Sequence, residues 1–295
     1  MPSPIELWPS VAGLIILVLG IVIVRKDLAA ASGLDKLVAL ALVFFAAPLA
    51  AFGAEHLVLG RLMAGMVPSW IPAHVFWIYF VGLGLLAASL SLTFRKCLLW
   101  SAPLLALMFF IFVFTMDLPG VVSQPKNRII WVLMFRETSF AAGGLALTAF
   151  AIRDRRAQLS NILAVTARIL IGVTLIFYGV EHFLHPDNVT GVPLEKLTPA
   201  WVPIHVFWAD LIGAILLVCG AALLINKRAR LAATLAGLVM VLVTLFLYTP
   251  ILAMDRGSAQ VIEGINYVGD TLFYGGAVLL LAMALRKDDR TRSSS

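Results

Sequence analysis

Charge is scarce in this sequence. Asp, Glu, Lys and Arg make up 13% of the 295 residues, against 61% hydrophobic ones. A water-soluble domain carries about 25% charged residues and about half apolar ones, so the shortage excludes that class. Cysteine is almost missing: Cys97 and Cys219 stand far apart and form no Cys-x-x-Cys pair. Buried free cysteine behaves as a small hydrophobe, and dithiol chemistry is not expected of this chain alone. The ten-residue alternating segments of a membrane barrel are missing too. So are a basic stripe interleaved with aromatics, a phosphate-cradling glycine loop and a nucleophile elbow. No nucleic-acid partner is expected.

What is present is a series of long unbroken apolar runs. Runs of about 20 residues read as membrane spans, and in lipid only a helix or a closed barrel satisfies its own backbone. Nine spans are expected, at about 8–24, 37–59, 71–93, 98–116, 129–151, 162–184, 201–225, 231–249 and 261–285. The fold class is therefore an all-α integral membrane protein. The first run is short, but no basic residue precedes it and Arg25 follows it, the reverse of a signal peptide's charge order. It reads as a spanning helix.

Orientation follows from Lys and Arg between the spans. One alternate set of gaps holds fifteen, from Arg25 and Lys26 to Arg290 and Arg292. The other holds five: Arg61, Lys126, Arg128, Lys196 and Arg256. The positive-inside rule puts the richer set in the cytoplasm, giving nine spans with the N-terminus outside and the C-terminus inside. The net charge of +6 then belongs to cytoplasmic loops of a protein in the plasma membrane.

The sequence also repeats itself. "VPSWIPAHVFW" (Val67–Trp77) returns as "TPAWVPIHVFW" (Thr198–Trp208), and Gly82, Lys96 and Pro119 return as Gly213, Lys227 and Pro250 at the same spacing. "AFGAEHL" (Ala51–Leu57) matches "FYGVEHF" (Phe177–Phe183) at a spacing five residues shorter, so the second copy carries an insertion in the next loop. The organisation expected is a helix and loop over 1–35, a four-helix unit over 36–151, a second over 162–285 and a tail over 286–295. The polar linker between the units is "RDRRAQLSN", Arg153–Asn161. An even number of spans per unit makes the copies parallel, related by an axis along the membrane normal.

"RILIGVTLIFYGVEHF" (Arg168–Phe183), a basic residue followed by a glycine-punctuated apolar helix, resembles the first helix of DoxX-like membrane proteins. The four-helix unit size is similar as well. The resemblance implies a membrane partner of redox enzymes, of the kind that includes small subunits of thiosulfate:quinone oxidoreductase. The chain departs from that pattern in its tandem arrangement, its extra helix, and the Glu-His that ends its first repeat helix.

All five histidines, His56, His74, His182, His185 and His205, fall at the end opposite the richer basic loops, as do Glu55 and Glu181. Each half presents Glu-His at the exit of one helix and Trp-x-Pro-x-His at the entry of the next. A tight hairpin should bring Glu55 and His56 to His74, and Glu181 and His182 to His205. Two imidazoles and a carboxylate suit iron, zinc or copper; the same trio can exchange protons with a quinone or small oxyanion. The plain alternative is that Trp70, Pro72, Trp201 and Pro203 form an interfacial belt and the histidines satisfy helix ends. Adjacent residues on a helix diverge by about 100°, so one of each Glu-His pair is expected to face inward.

Further intramembrane polar groups, Arg136, Glu137, Asp210, Asn266 and Asp270, lie toward the same end. Such groups normally face a bundle interior or cavity with a partner. Arg136 is expected to pair with Glu137, Asp210 or Asp270, in a polar cavity that Trp77 and Trp208 help to line; Arg168 is expected to snorkel. Three functions remain open: an accessory subunit of a membrane redox assembly binding metal or quinone, a small-solute transporter, and a purely structural bundle packed against other subunits. The topology is testable directly. In an otherwise cysteine-free protein, Asn188→Cys should react with an impermeant thiol reagent in intact cells and Ser160→Cys should not; the opposite pattern inverts the orientation.

Overall fold

Helices account for the architecture. The computed structural model describes residues 7–255 and 261–285; the expected tail at 286–295, residues 1–6 and Arg256 lie outside the described residues. Among the described residues nine helices are long and apolar enough to cross a membrane. The only strand-like pairing among them is an isolated bridge between Asn188 and Leu197.

An outlying helix α1 (Trp8–Ala30) and a short α2 (Asp35–Ala39) precede the first unit of α3 (Ala41–Met63), α4 (His74–Thr93), α5 (Leu98–Phe112), α6 (Leu118–Ser123) and α7 (Arg128–Ile152). The second unit contains α8 (Ala157–Leu184), α9 (His205–Leu224), α10 (Ala229–Val243), α11 (Thr249–Asp255) and α12 (Val261–Ala284). A π turn joins α5 to α6 at Val113–Asp117, and another joins α10 to α11 at Thr244–Tyr248. Each pair forms one span with its turn.

Several boundaries differ from expectation for local reasons. α4 and α9 begin at the histidine rather than at the preceding tryptophan or isoleucine. Ala73 and Ile204, directly before them, sit in the left-handed region at φ 57° and 47°, a conformation that is strained for a β-branched residue. α8 begins at Ala157, so the linker between the units shrinks to 153–156. Arg168 does not reach for solvent: its guanidinium donates to the Leu223 and Leu224 carbonyls and caps the end of α9.

Backbone features recur at the spacing seen in the sequence. α4 and α9 start and end 131 residues apart, as do α5 and α10 and the two π turns. The left-handed residues Arg95 and Cys97 have counterparts in Asn226 and Arg228. The halves do not stand as separate bundles, however. Within each half the first two helices pair, α3 with α4 and α8 with α9, but α7 packs on α8 and α12 on α3, and α7 meets α12 at the centre. The seams thus run between the halves. Phe45, Phe140 and Phe273 meet there, with ring centroids 4.2 Å apart for Phe45–Phe273 and Phe140–Phe273. α1 lies outside on α3, with Gly13 against Ala51 and Gly20 against Val43.

Close approach at the α3–α12 seam depends on Gly276, where a Cβ would fall 2.7 Å from the Phe45 backbone nitrogen. Gly276→Ala should lower stability in detergent by about 1–3 kcal/mol, the usual cost of overpacking. Gly84→Ala, with nothing within 4 Å of the new Cβ, should leave the melting temperature unchanged or slightly raised. Equal melting shifts for the two would contradict the seam.

Candidate functional site

The Glu-His pairs are seated by glycine crossings. Gly53 and Gly82 bring α3 against α4 so closely that a Cβ on Gly82 would lie 3.1 Å from the Gly53 carbonyl and 2.7 Å from the His56 Cβ. In the second half Gly213 stands in the same relation to Gly179 and His182, at 3.0 Å for each. Both rings are fixed alike: His56 Nδ1 lies 2.7 Å from the Phe52 carbonyl and His182 Nδ1 lies 2.6 Å from that of Tyr178. A carbonyl only accepts, so Nδ1 carries the proton in both; in a neutral ring Nε2 is then an acceptor.

The second half uses that acceptor on its own chain. Between α8 and α9, residues 189–194 run inside the bundle end with Val189, Thr190, Val192 and Leu194 buried. The Gly191 N–H donates to His182 Nε2 at 3.0 Å, Thr271 Oγ1 to the Val192 carbonyl at 2.5 Å, and the Tyr248 hydroxyl to the Val189 carbonyl at 3.4 Å. Arg128 closes the loop, with Nε donating to Glu181 at 2.6 Å and Nη2 to the Leu194 carbonyl at 2.6 Å. Gly191 is at φ +124°, and a Cβ there would lie 2.9 Å from the Tyr248 ring; both the backbone and the space demand glycine.

The first half differs. Glu55 is buried and accepts from Asn266 Nδ2 of α12 at 3.1 Å. Beside it Arg136 of α7 donates to Asp270 of α12 at 2.7 Å and to Glu137 at 2.9 Å. Asp117, the last residue of the first π turn, lies within electrostatic reach of Glu137 and Arg136, and Glu55 within reach of Asp270. Two carboxylates thus pair with one guanidinium, with Asp117 in electrostatic reach of it and Glu55 in reach of Asp270. Among the described residues, buried atoms without a hydrogen-bond partner gather here: Asp117 Oδ2, Arg136 Nε, Glu137 Oε2 and Asn266 Oδ1. Buried polar atoms in native proteins are nearly always paired, and π turns concentrate at functional sites. The arrangement offers one donor and three acceptors inside an apolar bundle.

Of the expected site residues, the structure therefore gathers Glu55, Arg136, Glu137 and Asp270 into one cluster. Others lie elsewhere. Trp77 is half-exposed, with its indole N–H folded back onto the Pro72 carbonyl at 3.0 Å; Trp208 is equally exposed, and both face outward as a belt would. Asp210 is exposed on α9 and does not meet Arg136. His205 pairs with exposed Asp187 at 3.1 Å instead of with Glu181, while Glu181 serves Arg128 and stands 3.8 Å from His185. His74 starts α4 and makes no side-chain hydrogen bond among the described residues. Among the described residues no three His, Cys, Asp or Glu side chains gather as a metal-holding group. The reason is local: Nδ1 of both inner histidines is bound to its own helix, and His182 Nε2 is taken by Gly191. Asp117 and Arg128 were not expected, since both fall where composition alone reads a span end or a loop charge.

Comparison with known proteins fits this description in part. The DoxX family profile matches residues 163–249, most of the second half, and over that stretch the chain is DoxX-like. An uncharacterised membrane protein of Mycobacterium tuberculosis is 29% identical over 97 residues, covering 33% of this chain and 56% of the relative. The aligned stretch thus spans little more than half of that relative's length. No solved structure matches.

The ion pair across the halves should show its weight on removal. Arg136→Leu strands Asp270 and Glu137 and should destabilise by about 3–5 kcal/mol, while Arg136→Leu with Asp270→Leu should recover a large part of that loss. Thermal melts in one detergent measure this; additive losses would mean that the two residues do not interact.

Proposed function

We propose that this chain is a DoxX-like subunit of a membrane redox assembly and that its polar cluster holds the headgroup of a quinone. The four unpartnered buried atoms carry the proposal. A quinone carbonyl needs a donor, which Arg136 Nε–H supplies; a hydroquinone hydroxyl needs an acceptor, which Asp117, Glu137 and Asn266 supply. A lipid-borne headgroup suits an apolar bundle, and ligand sites characteristically combine apolar walls with few convergent polar groups. The carboxyl groups outnumber the single guanidinium and so can hold protons that such a headgroup takes up or releases. The geometry gives less support to a metal, because the Glu-His sets are divided among other partners.

The same proposal places the chain in the cytoplasmic membrane, with the histidine-bearing end extracytoplasmic on the strength of the basic asymmetry. It treats 36–151 and 162–285 as two parallel copies. Other subunits of the assembly are expected to supply the electron carriers. One observation favours transport as a second reading: the matched π turns interrupt corresponding helices just before Pro119 and Pro250, and matched breaks are a transporter feature. Solute uptake into vesicles containing the purified chain would favour that reading.

Calorimetric titration of the purified protein with decylubiquinone tests the quinone reading. The wild type should bind, and Arg136→Lys, which keeps the charge for Asp270 but lacks the Nε–H, should bind at least about tenfold more weakly. Absence of binding by the wild type, together with stoichiometric iron, copper or zinc in the same sample, would overturn it in favour of a metal.

A further inference from the structure

The position occupied by a loop in the second half has a counterpart in the first that no loop fills. α3 stays helical to Met63 and passes through a short 3-10 turn, Ala64–Met66, before α4. α8 ends at Leu184, and the chain to His205 is longer. The extra length is what reaches inward at 189–194. Around Gly191 the second half sets His182 Nε2 on one side and the Tyr248 ring on the other. The equivalent residues of the first half are His56, held by the same Nδ1 hydrogen bond, and Asp117, at the same last place of its π turn. By that correspondence His56 and Asp117 flank the position that in the second half is filled by backbone. Asp117 Oδ2 is buried without a hydrogen-bond partner among the described residues.

We infer that the second-half loop is a built-in occupant, and that the matching position of the first half takes one ligand per chain whose O–H or N–H donates to His56 Nε2, as the Gly191 N–H donates to His182. The inference takes the ligand's identity from the quinone reading, which makes it a hydroquinone. Its first hydroxyl donates to His56, and the opposite oxygen reaches the Arg136, Glu137 and Asn266 group. Tyr248 in place of Asp117 is what closes the second pocket, since its ring packs on Gly191 and its hydroxyl holds the loop. Glu181 is likewise diverted: it anchors Arg128, whereas Glu55 accepts from Asn266 of the cluster. The two Glu-His pairs thus have different work, one binding a ligand and the other a loop.

The test is titration of the full chain in lipid nanodiscs with decylubiquinol, read by calorimetry. The wild type should bind one equivalent. His56→Ala should weaken binding at least about tenfold. His182→Ala should leave affinity within about twofold while making 186–197 newly sensitive to protease. Asp117→Tyr, which installs the second half's residue, should abolish binding with the melting temperature retained, and it guards against a folding defect in the histidine variant. Binding by the wild type that Arg136→Lys weakens but His56→Ala and Asp117→Tyr do not would overturn this inference and leave the quinone reading standing. Two equivalents, or loss on His182→Ala alone, would also overturn it. No binding by the wild type would overturn both.

Discussion

A guanidinium inside a hydrocarbon-surrounded bundle must be matched by carboxylate, and the pairing of Arg136 with Asp270 meets that demand across the boundary of the two halves. It sets where α7 and α12, the last helices of each half, meet. With those two helices in register, α3 closes on α12 and α8 on α7, so the first helix of each half is sealed by the other half. The aromatic centre of Phe45, Phe140 and Phe273 lies on the same seam. One polar contact therefore organises an otherwise apolar interface, and leaves its own surplus of carboxyl groups to be used.

The halves share a frame and differ in what fills it. Both build the same glycine crossing, the same histidine ring lock, the same left-handed residue before the second helix and the same π turn. The second half then spends its polar groups internally. His182, Tyr248 and Thr271 all bind loop backbone, and Arg128 of α7 reaches over from the first half to the same loop. The first half keeps a tighter hairpin, and its Asp117, Glu137 and Arg136, together with Asn266 of α12, retain buried atoms without a hydrogen-bond partner among the described residues.

Much of this was legible in the sequence. Span number followed from apolar run length, and the duplicated motif announced the recurrence of helix boundaries. Glu55, Arg136, Glu137 and Asp270 were visible because intramembrane charge is costly wherever it falls. Three things were hidden. Asp117 lies one residue past the expected end of its span, and only the π turn swings it inward. Arg128 reads as a loop charge, yet it reaches back to Glu181 on α8. His205 does not meet Glu181, because the longer loop of the second half carries Asp187 to it and Gly191 to His182. Spacing shows that residues recur; it does not show which partner reaches them first.

The decisive observation is what lies between His56 and Asp117. A crystal structure of the full chain grown from a lipidic phase with decylubiquinol would show it. Ligand density between His56, Asp117 and Arg136, with the Gly191 backbone still on His182, is the predicted result. Ligand beside His182 with the loop displaced, or only against the outward-facing Trp77 and Trp208, would contradict it.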